Sequence, residues 1–142
     1  MTDTEVILGS HVPLSGPAAT YSVIPTTYQA YFKKINEEGG VNGRKITMKV
    51  EDDGYTANRT VEVVKRLVEQ DKVFAIFNGL GTPTHSAVVD YLQEKGIPDM
   101  YIASGASKWA NPVKKTVFGY QPDYISEGKI LGRYAAEKDP RS

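Results

Sequence analysis

Two kinds of hydrophobic pattern alternate along the chain. Short apolar runs at residues 5–12 and 73–77 are typical of strands, and residues 46–50 alternate apolar with polar side chains in the manner of a half-buried strand. Between these segments, apolar residues recur every three or four positions, which predicts amphipathic helices. Glycine and proline pairs separate the segments.

The predicted elements follow one another in the order β-α-β-α-β-α-β-β-α. The strands are predicted over residues 5–12, 46–50, 73–77, 100–103 and 117–120, and the helices over residues 24–38, 57–71, 82–95 and 123–138. This alternation predicts an α/β fold, with a three-layer, open and mainly parallel sheet of the flavodoxin-like or Rossmann-like kind. We expect residues 1–142 to form a single domain.

Ligands of such sheets bind beyond the carboxyl ends of the strands, where the strand order reverses. Three predicted loops therefore converge on one candidate site, namely residues 13–20, 78–83 and 103–109. The sequence contains no internal repeat and no low-complexity tract.

Composition excludes several classes of function. The chain has 17 basic and 17 acidic residues without a basic run, so no nucleic-acid partner is predicted. It has no cysteine, which excludes disulfides, thiolate metal sites and a cysteine nucleophile. No stretch has the length and apolar character of a membrane span, and "MTDTEVILGS" lacks the features of a signal peptide. Because "AAEKDPRS" directly follows a helical pattern, we expect a fragment of a longer protein.

The segment "FNGLGTPTHSAVV" contains the strongest candidate for ligand binding. Thr82 suits a helix cap and Pro83 suits the first helical turn, while the glycines on either side of Leu80 leave the backbone accessible. A helix start favours a bound anion, although capping alone explains the same residues equally well. The loop "SGAS", residues 104–107, adds hydroxyls at the next strand end. Together the two loops predict a small anionic or zwitterionic ligand.

Other patterns weigh against a nucleotide. "GLG" lacks the third glycine of a dinucleotide fingerprint, no GKS or GKT loop is present, and Pro17 removes an amide donor from the first loop. Asp52 and Asp53 resemble a receiver acidic pair, but Asn78 occupies the place of the phosphorylated aspartate, so a solvated turn is favoured. No cofactor is predicted.

Histidine and aromatic side chains give weaker signals. His11 and His85 lie on different elements without other ligands at suitable spacing, so neither a metal site nor a catalytic triad is predicted. Tyr21 and Trp109 fall in predicted rim loops, where surface packing and contact with a ligand remain equally possible.

Several stretches resemble one known family. "VPLSGPAATYS", "INEEGGVNGRKI", "VEDDGYTANRTVEVVKRLVEQDKVFAIFNGLGT", "GIPDMYIASGAS" and "YQPDYISEG" are similar to the amino-terminal region of type I periplasmic solute-binding proteins of the branched-chain amino acid family. The run from Gly39 to Arg44 is the most specific part. The resemblance implies the first of two α/β lobes around a cleft, with the second lobe absent from this chain.

The resemblance also implies a function and a set of ligand-binding residues. It implies a non-catalytic protein that delivers a small amino acid or carboxylate to a membrane ABC permease, in a periplasmic or extracellular location for the parent protein. Thr82 corresponds to the hydroxyl residue that binds the ligand carboxylate, and Tyr21 to an aromatic rim position. Gly105, Ala106 and Ser107 correspond to the second ligand loop. Branched-chain amino acids are the default ligands.

Departures from the family pattern limit the inference about the ligand. Tyr124 stands where many relatives have aspartate, and Gly54 and Tyr55 replace a common Asp-Pro pair. With the second lobe absent, we expect weak or undetectable ligand binding, and a homodimer is possible through uncovered apolar surface. Two alternatives stay open: a flavodoxin-like, receiver-like or engineered scaffold with a signalling or structural role, and the sensing lobe of a receptor.

Overall fold

A computed structural model describes residues 1–139 of the chain. The strands are β1 (Glu5–Val12), β2 (Lys45–Asp52), β3 (Ala75–Phe77), β4 (Asp99–Ile102) and β5 (Val117–Gly119), and the helices are α1 (Val23–Glu37), α2 (Ala57–Glu69), α3 (Thr82–Ser86), α4 (Val89–Glu94) and α5 (Tyr124–Lys138). Two short 3₁₀ turns, Ala19–Ser22 and Ser107–Trp109, lie in the loops after β1 and β4.

The five strands form one parallel sheet in the order β2-β1-β3-β4-β5. β1 and β2 pair over their whole length, with Glu5 opposite Lys45 and Val12 opposite Asp52. The strand order reverses between β1 and β3, which is where a parallel α/β sheet offers a crevice to a ligand. The predicted α/β fold class and open parallel sheet are confirmed.

Helices cover both faces of the sheet. Ile76 packs in a core with residues of α2 and α4. Ile76, Leu67 of α2 and Leu92 of α4 are all fully buried. Phe77, the neighbour of Ile76, points the other way and makes edge contacts with Tyr28 and Phe32 of α1, at ring-centroid distances of 5.4 Å. Successive strand residues face opposite sides of a sheet, so Ile76 contacts the helices on one face and Phe77 contacts α1 on the other.

Most predicted elements differ from the observed ones only by a few residues at their ends, but two differ in kind. The apolar run 73–77 is strand only from Ala75, because Lys72 has a φ of 54° and the chain turns out of α2 before it joins the sheet. The helix predicted over residues 82–95 is divided into α3 and α4. There, Ala87 and Val88 donate to carbonyls three residues earlier, which tightens the helix and places both Val88 and Val89 in the interior.

Helix α5 leaves its apolar side chains exposed. Ile125, Ile130, Leu131 and Tyr134 are each more than half exposed, and α5 has no buried residue. Within residues 1–139, no helix combines the length and hydrophobicity needed to span a bilayer.

Candidate functional site

A small cavity of about 150 Å³ opens at the carboxyl edge of the sheet, beside the reversal of strand order. Segments that follow all five strands contribute to its wall. The lining residues are Tyr21, Ile24, Tyr55, Leu80, Gly81, Thr82, Ala103, Gln121 and Tyr124.

The loops after β3 and β4 are tied together at the base of this cavity. Leu80 and Ala103 form an isolated parallel bridge, Ala103 donates to the Gly79 carbonyl at 2.9 Å, and Gly81 donates to the Ala103 carbonyl at 3.3 Å. Gly81 adopts a φ of 104° in the turn before α3, a conformation that strongly favours glycine. The convergence of these two loops, predicted from the sequence, is therefore observed.

Thr82 is the first residue of α3 rather than its cap. Gly81 occupies the cap position, without a side-chain capping hydrogen bond, so the prediction that Thr82 caps the helix is wrong. The Thr82 hydroxyl instead lies 2.6 Å from the hydroxyl of buried Ser104.

The partners of Ser104 define the direction of that hydrogen bond. Ser104 Oγ accepts from Trp109 Nε1 at 2.9 Å and from the Ala106 amide at 3.3 Å. A hydroxyl oxygen has two lone pairs, both used here, so Ser104 donates its own proton to Thr82. Thr82 keeps its hydroxyl proton for a further acceptor.

Three tyrosines surround the entrance. Tyr21 and Tyr124 are about half exposed, at 53% and 50%. Tyr55 adopts a φ of 59°, and its ring lies so close to Gly81 that an added Cβ would approach Tyr55 Cε2 to 2.5 Å. Burial raises the pKa of the Tyr55 phenol above its ordinary value of 10, and the phenols of Tyr21 and Tyr124 raise it further. The Tyr55 hydroxyl is therefore neutral at pH 7.

The site residues predicted from the sequence fall into two groups. Tyr21 and Thr82 line the same cavity. Gly105, Ala106 and Ser107 line a neighbouring cavity of about 230 Å³, which also includes Ser104. Ser104, through its contact with Thr82, and Gln121, which lines both, connect the two cavities.

Several residues of the wall were not selected as site residues from the sequence. Tyr55 and Tyr124 were noted only as departures from a family pattern, and Gln121 and Ala103 were not singled out. The signal for Tyr55 is its place in the turn "EDDGY" directly after a strand, since strand-end turns of parallel sheets gather at one edge. Gln121 and Tyr124 have no comparable signal.

Behind the cavity, four ionisable side chains form a continuous hydrogen-bonded chain, here called the Asp-His-His-Asp array. Asp53 Oδ2 lies 2.8 Å from His11 Nδ1, His11 Nε2 lies 2.9 Å from His85 Nδ1, and His85 Nε2 lies 2.6 Å from Asp99 Oδ2. All four residues are fully buried. Burial lowers the pKa of His11 below its ordinary value of 6.5, although the hydrogen bond to Asp53 opposes this effect.

Two predictions about this region are wrong. Asp53 is not in a solvated turn, because it is fully buried against His11 and Thr60. Trp109 is not a rim residue, because it is 2% exposed and packs edge-on against His85 at a centroid distance of 5.3 Å. Neither long-range contact is visible in local sequence. Among residues 1–139, no group of three His, Cys, Asp or Glu side chains is arranged to bind a metal ion.

Residues 5–142 match the family model described as periplasmic binding protein. The chain belongs to this family. The resemblance to its type I members of the branched-chain amino acid group is thereby confirmed, and curated relatives agree with it. The Leu/Ile/Val-binding protein homolog 1 of Brucella abortus is 30% identical over 73 residues, which is 51% of this chain and 20% of that protein. An amino acid binding protein of Pseudomonas aeruginosa is 28% identical over 100 residues, covering 66% of this chain and 25% of that protein.

Solved structures of similar proteins match most of this chain. A possible leucine/isoleucine/valine-binding protein from Rhodopirellula baltica matches 96% of the chain with a TM-score of 0.88 and 24% identity, over 37% of its own length. A branched-chain amino acid ABC transporter protein from Thermus thermophilus with bound valine matches 98% of the chain with a TM-score of 0.83 and 20% identity, over 36% of its length. These two matches establish the fold of the lobe.

A third structure is a solute-binding protein of an ABC transporter from Rhodopseudomonas palustris in complex with 3,4-dihydroxybenzoic acid. It matches 72% of the chain with a TM-score of 0.64 and 28% identity, over 28% of its length. The matched part of this chain therefore covers between about a fifth and two fifths of the length of each of these relatives.

Proposed function

We propose that the chain is the carboxylate-binding lobe of a solute receptor for amino acids or similar small carboxylates. One set of contacts supports this proposal above the others: Ser104 Oγ accepts from Trp109 and Ala106, so it donates its hydrogen bond to Thr82, whose own hydroxyl can donate to a ligand in the cavity. A fixed donor in a recessed site suits a carboxylate oxygen, which only accepts hydrogen bonds.

The relatives support the same ligand chemistry. Two similar solved proteins have valine and 3,4-dihydroxybenzoic acid as their ligands, and the carboxyl group is the functional group that these two ligands have in common. Under this proposal the carboxylate contacts Thr82, and the tyrosines pack over the rest of the ligand. Gly105, Ala106 and Ser107 remain proposed contacts for a ligand that extends past Ser104 into the neighbouring cavity.

The isolated chain is expected to bind weakly. Pockets that enclose a small ligand usually measure about 300–1,000 Å³, whereas the Thr82 cavity measures about 150 Å³. The chain also spans only about 37% of the Rhodopirellula protein. We therefore expect dissociation constants of about 1 mM or weaker, which is a binding free energy of about −4 kcal/mol or less favourable.

A titration followed by amide NMR tests this proposal. L-leucine, L-valine and benzoate are each added to the 142-residue chain, and each is paired with the carboxamide that lacks the carboxylate charge: leucinamide, valinamide or benzamide. At least one acid should shift the amide resonances of Thr82, Ser104 and Tyr55 in the millimolar range, whereas its amide should not. Equal shifts with an acid and its amide would contradict the carboxylate assignment, and nanomolar affinity would contradict the weak-binding expectation.

Two variants of Thr82 sharpen the experiment. Thr82→Val keeps the side-chain shape and removes the hydroxyl, so the carboxylate-dependent shifts should disappear. Thr82→Ser keeps the hydroxyl and should retain them. Equal responses from both variants would assign the binding to some other group.

The remaining parts of the proposal concern the parent protein. We propose a non-catalytic role, delivery of the ligand to an ABC permease, and a periplasmic or extracellular location. The family match and the transporter proteins among the similar structures support these assignments. A pull-down of the parent receptor with a detergent-solubilised permease would test the delivery step.

Self-association of the isolated chain is also proposed. The apolar groove beside α1, lined by Tyr28, Tyr31, Phe77, Tyr101 and Tyr120 among others, measures about 540 Å³. Exposed apolar surface of this kind favours association with a second copy. Sedimentation velocity should show an average mass that rises with concentration, and a monomer at all concentrations would count against the proposal.

A further inference from the structure

The Asp-His-His-Asp array connects three strands and a helix beneath the ligand cavity. His11 lies near the end of β1, Asp53 follows β2, His85 lies in α3, and Asp99 begins β4. Its three contacts, at 2.8, 2.9 and 2.6 Å, are all within hydrogen-bonding distance. Nothing in the proposed contacts with the ligand requires these four residues to be ionisable.

The three hydrogen bonds of the array determine how many protons its four side chains hold. Each of its three hydrogen bonds needs one proton, and two neutral histidines supply only two between them. A third proton is therefore present, either as the second proton of an imidazolium or on a carboxyl group. In both arrangements the four side chains together carry one negative charge.

The alternatives with two or four protons are unfavourable in a buried site. Two protons leave one contact as a pair of facing lone pairs and bury two negative charges. A fourth proton on the rings makes both histidines cations, and an N–H of His11 then faces an N–H of His85 across 2.9 Å. On the outer oxygen of Asp99 it would be a buried O–H without an acceptor, because Asp99 Oδ1 has no hydrogen-bond partner among the described residues. The complete array thus depends on its proton count.

The array contacts the ligand cavity at two points. Asp53 accepts from His11 through Oδ2 and from the Tyr55 amide through Oδ1, the latter at 2.9 Å. The two rings also lie against Gly79, where an added Cβ would be 2.6 Å from His11 Nε2 and 2.7 Å from His85 Nδ1. The position of the rings is therefore linked to Tyr55 and to the loop that leads to Thr82.

We infer that the Asp-His-His-Asp array is a positioning device that fixes Tyr55 and the 79–82 loop for ligand binding only while it holds three protons. Loss of the three-proton state releases the contact between the rings, and Tyr55 and the loop then shift together. The inference rests on the proposed function only in treating this cavity as the ligand site.

The direction of the pH effect follows from the surroundings of His11. Its ring faces Asp53 from the turn after β2, His85 from α3 and, more remotely, Asp99 from β4. Burial lowers the pKa of His11 below 6.5, so the fourth proton enters only on the acid side of that value. The site should keep its geometry at neutral pH and change as the pH falls below about 6.5.

Proton and nitrogen NMR of the unliganded 142-residue chain tests the inference. At neutral pH the array should give three slowly exchanging, low-field proton resonances, one more than two neutral histidines provide. On acidification, the amides of Tyr55 and Gly81 should shift with the same midpoint as the ring nitrogens of His11. Two low-field protons, or amides that do not follow the rings, would overturn the inference.

One substitution makes a more specific prediction. In Asp53→Asn, the carboxamide oxygen can still accept from the Tyr55 amide, while its NH₂ group faces His11 Nδ1 and makes that nitrogen an acceptor. His11 should therefore carry its ring proton at Nε2 and leave Nδ1 unprotonated, which the nitrogen shifts report directly. The ring protons of the two histidines should number two.

The matched control is Asp90→Asn, because Asp90 is an exposed aspartate that pairs with Lys114. This variant should leave the three low-field protons and the His11 tautomer unchanged. If Asp53→Asn does not fold, the wild-type proton count and pH titration decide alone. Because no ligand is added, failure here is distinguishable from failure of the proposed function.

Discussion

His11 and His85 are separated by 74 positions in the sequence, and their ring nitrogens meet at 2.9 Å in the interior. The rings stack with an interplanar angle of 17° and a centroid distance of 5.1 Å. Each ring has a buried aspartate on its other side. This contact joins β1 to α3 and explains why the stability of the lobe should depend on pH.

The first prediction concerns the free energy of unfolding between pH 6.5 and 5.5. The pKa of His11 is below 6.5 in the folded protein, chiefly because of burial, and close to 6.5 in the unfolded chain. Below about pH 6.5 the two histidines of the unfolded chain together bind more protons than the folded array, which holds three, so stability is lost as the pH falls from about 6.5 towards the folded pKa of His11. The slope should be at most about 1.4 kcal/mol per pH unit.

Urea unfolding at three pH values within that interval measures this slope. A His11→Asn variant, which cannot titrate there, should show a smaller slope than the wild type. Equal slopes for the two proteins would assign the pH dependence to other groups.

The second prediction concerns Gly79. In Gly79→Ala the new Cβ would meet the facing ring nitrogens of both histidines at 2.6 and 2.7 Å, and those rings are held by hydrogen bonds on both sides. We expect a loss of about 1–3 kcal/mol in the free energy of unfolding, or more if the array breaks.

The matched control for that variant is Gly128→Ala in α5. Apart from its chain neighbours and the backbone of its own helix, no atom lies within 4 Å of the added Cβ there, so this change should stabilise the helix by about 0.5–1 kcal/mol. Chemical denaturation of both variants gives the comparison, and a neutral Gly79→Ala would show that the rings move aside freely.

The third prediction concerns Trp109, the single tryptophan of the chain. Trp109→Phe removes the donor to Ser104 Oγ and reduces the aromatic contact with His85. We expect a loss of about 1–3 kcal/mol in stability. Because Ser104 then has a free lone pair, Thr82 can donate to it, and the carboxylate-dependent NMR shifts should weaken. Unchanged shifts would contradict the assigned direction of the Ser104 to Thr82 hydrogen bond.

The fourth prediction concerns Asp52, which organises the loop after β1. Burial acts to raise the pKa of Asp52, but hydrogen bonds from the Ser15 hydroxyl and from the amides of Gly54, Leu14 and Ser15 lower it to about 2. The contribution of the Asp52 carboxylate to the free energy of unfolding is complete above the pKa of about 4 that aspartate has in the unfolded chain. It is lost as the pH falls towards 2. Urea unfolding should show this loss in the wild type and a smaller one in Asp52→Asn.

Local patterns predicted the elements of this lobe well. β1 was predicted with its observed bounds, Glu5–Val12, and α5 to within one residue of Tyr124–Lys138. Both are set by features within a few residues, namely a continuous apolar run and a helical repeat that begins after Asp123, whose side chain accepts from the Ser126 amide. Thr82 was singled out as a ligand-binding residue, but its role as a cap was wrong because the glycine before it takes that position.

The sequence by itself determined the order of strands and helices, the parallel sheet and the strand ends where a site could form, because periodicity and turn residues act over short distances. Only the tertiary structure decided that Asp53, His11, His85 and Asp99 form one buried array, and that Thr82 lies against the buried Ser104 hydroxyl at the wall of the cavity. Those contacts join residues on different elements. Their geometry depends on strand order and packing, which no local pattern encodes.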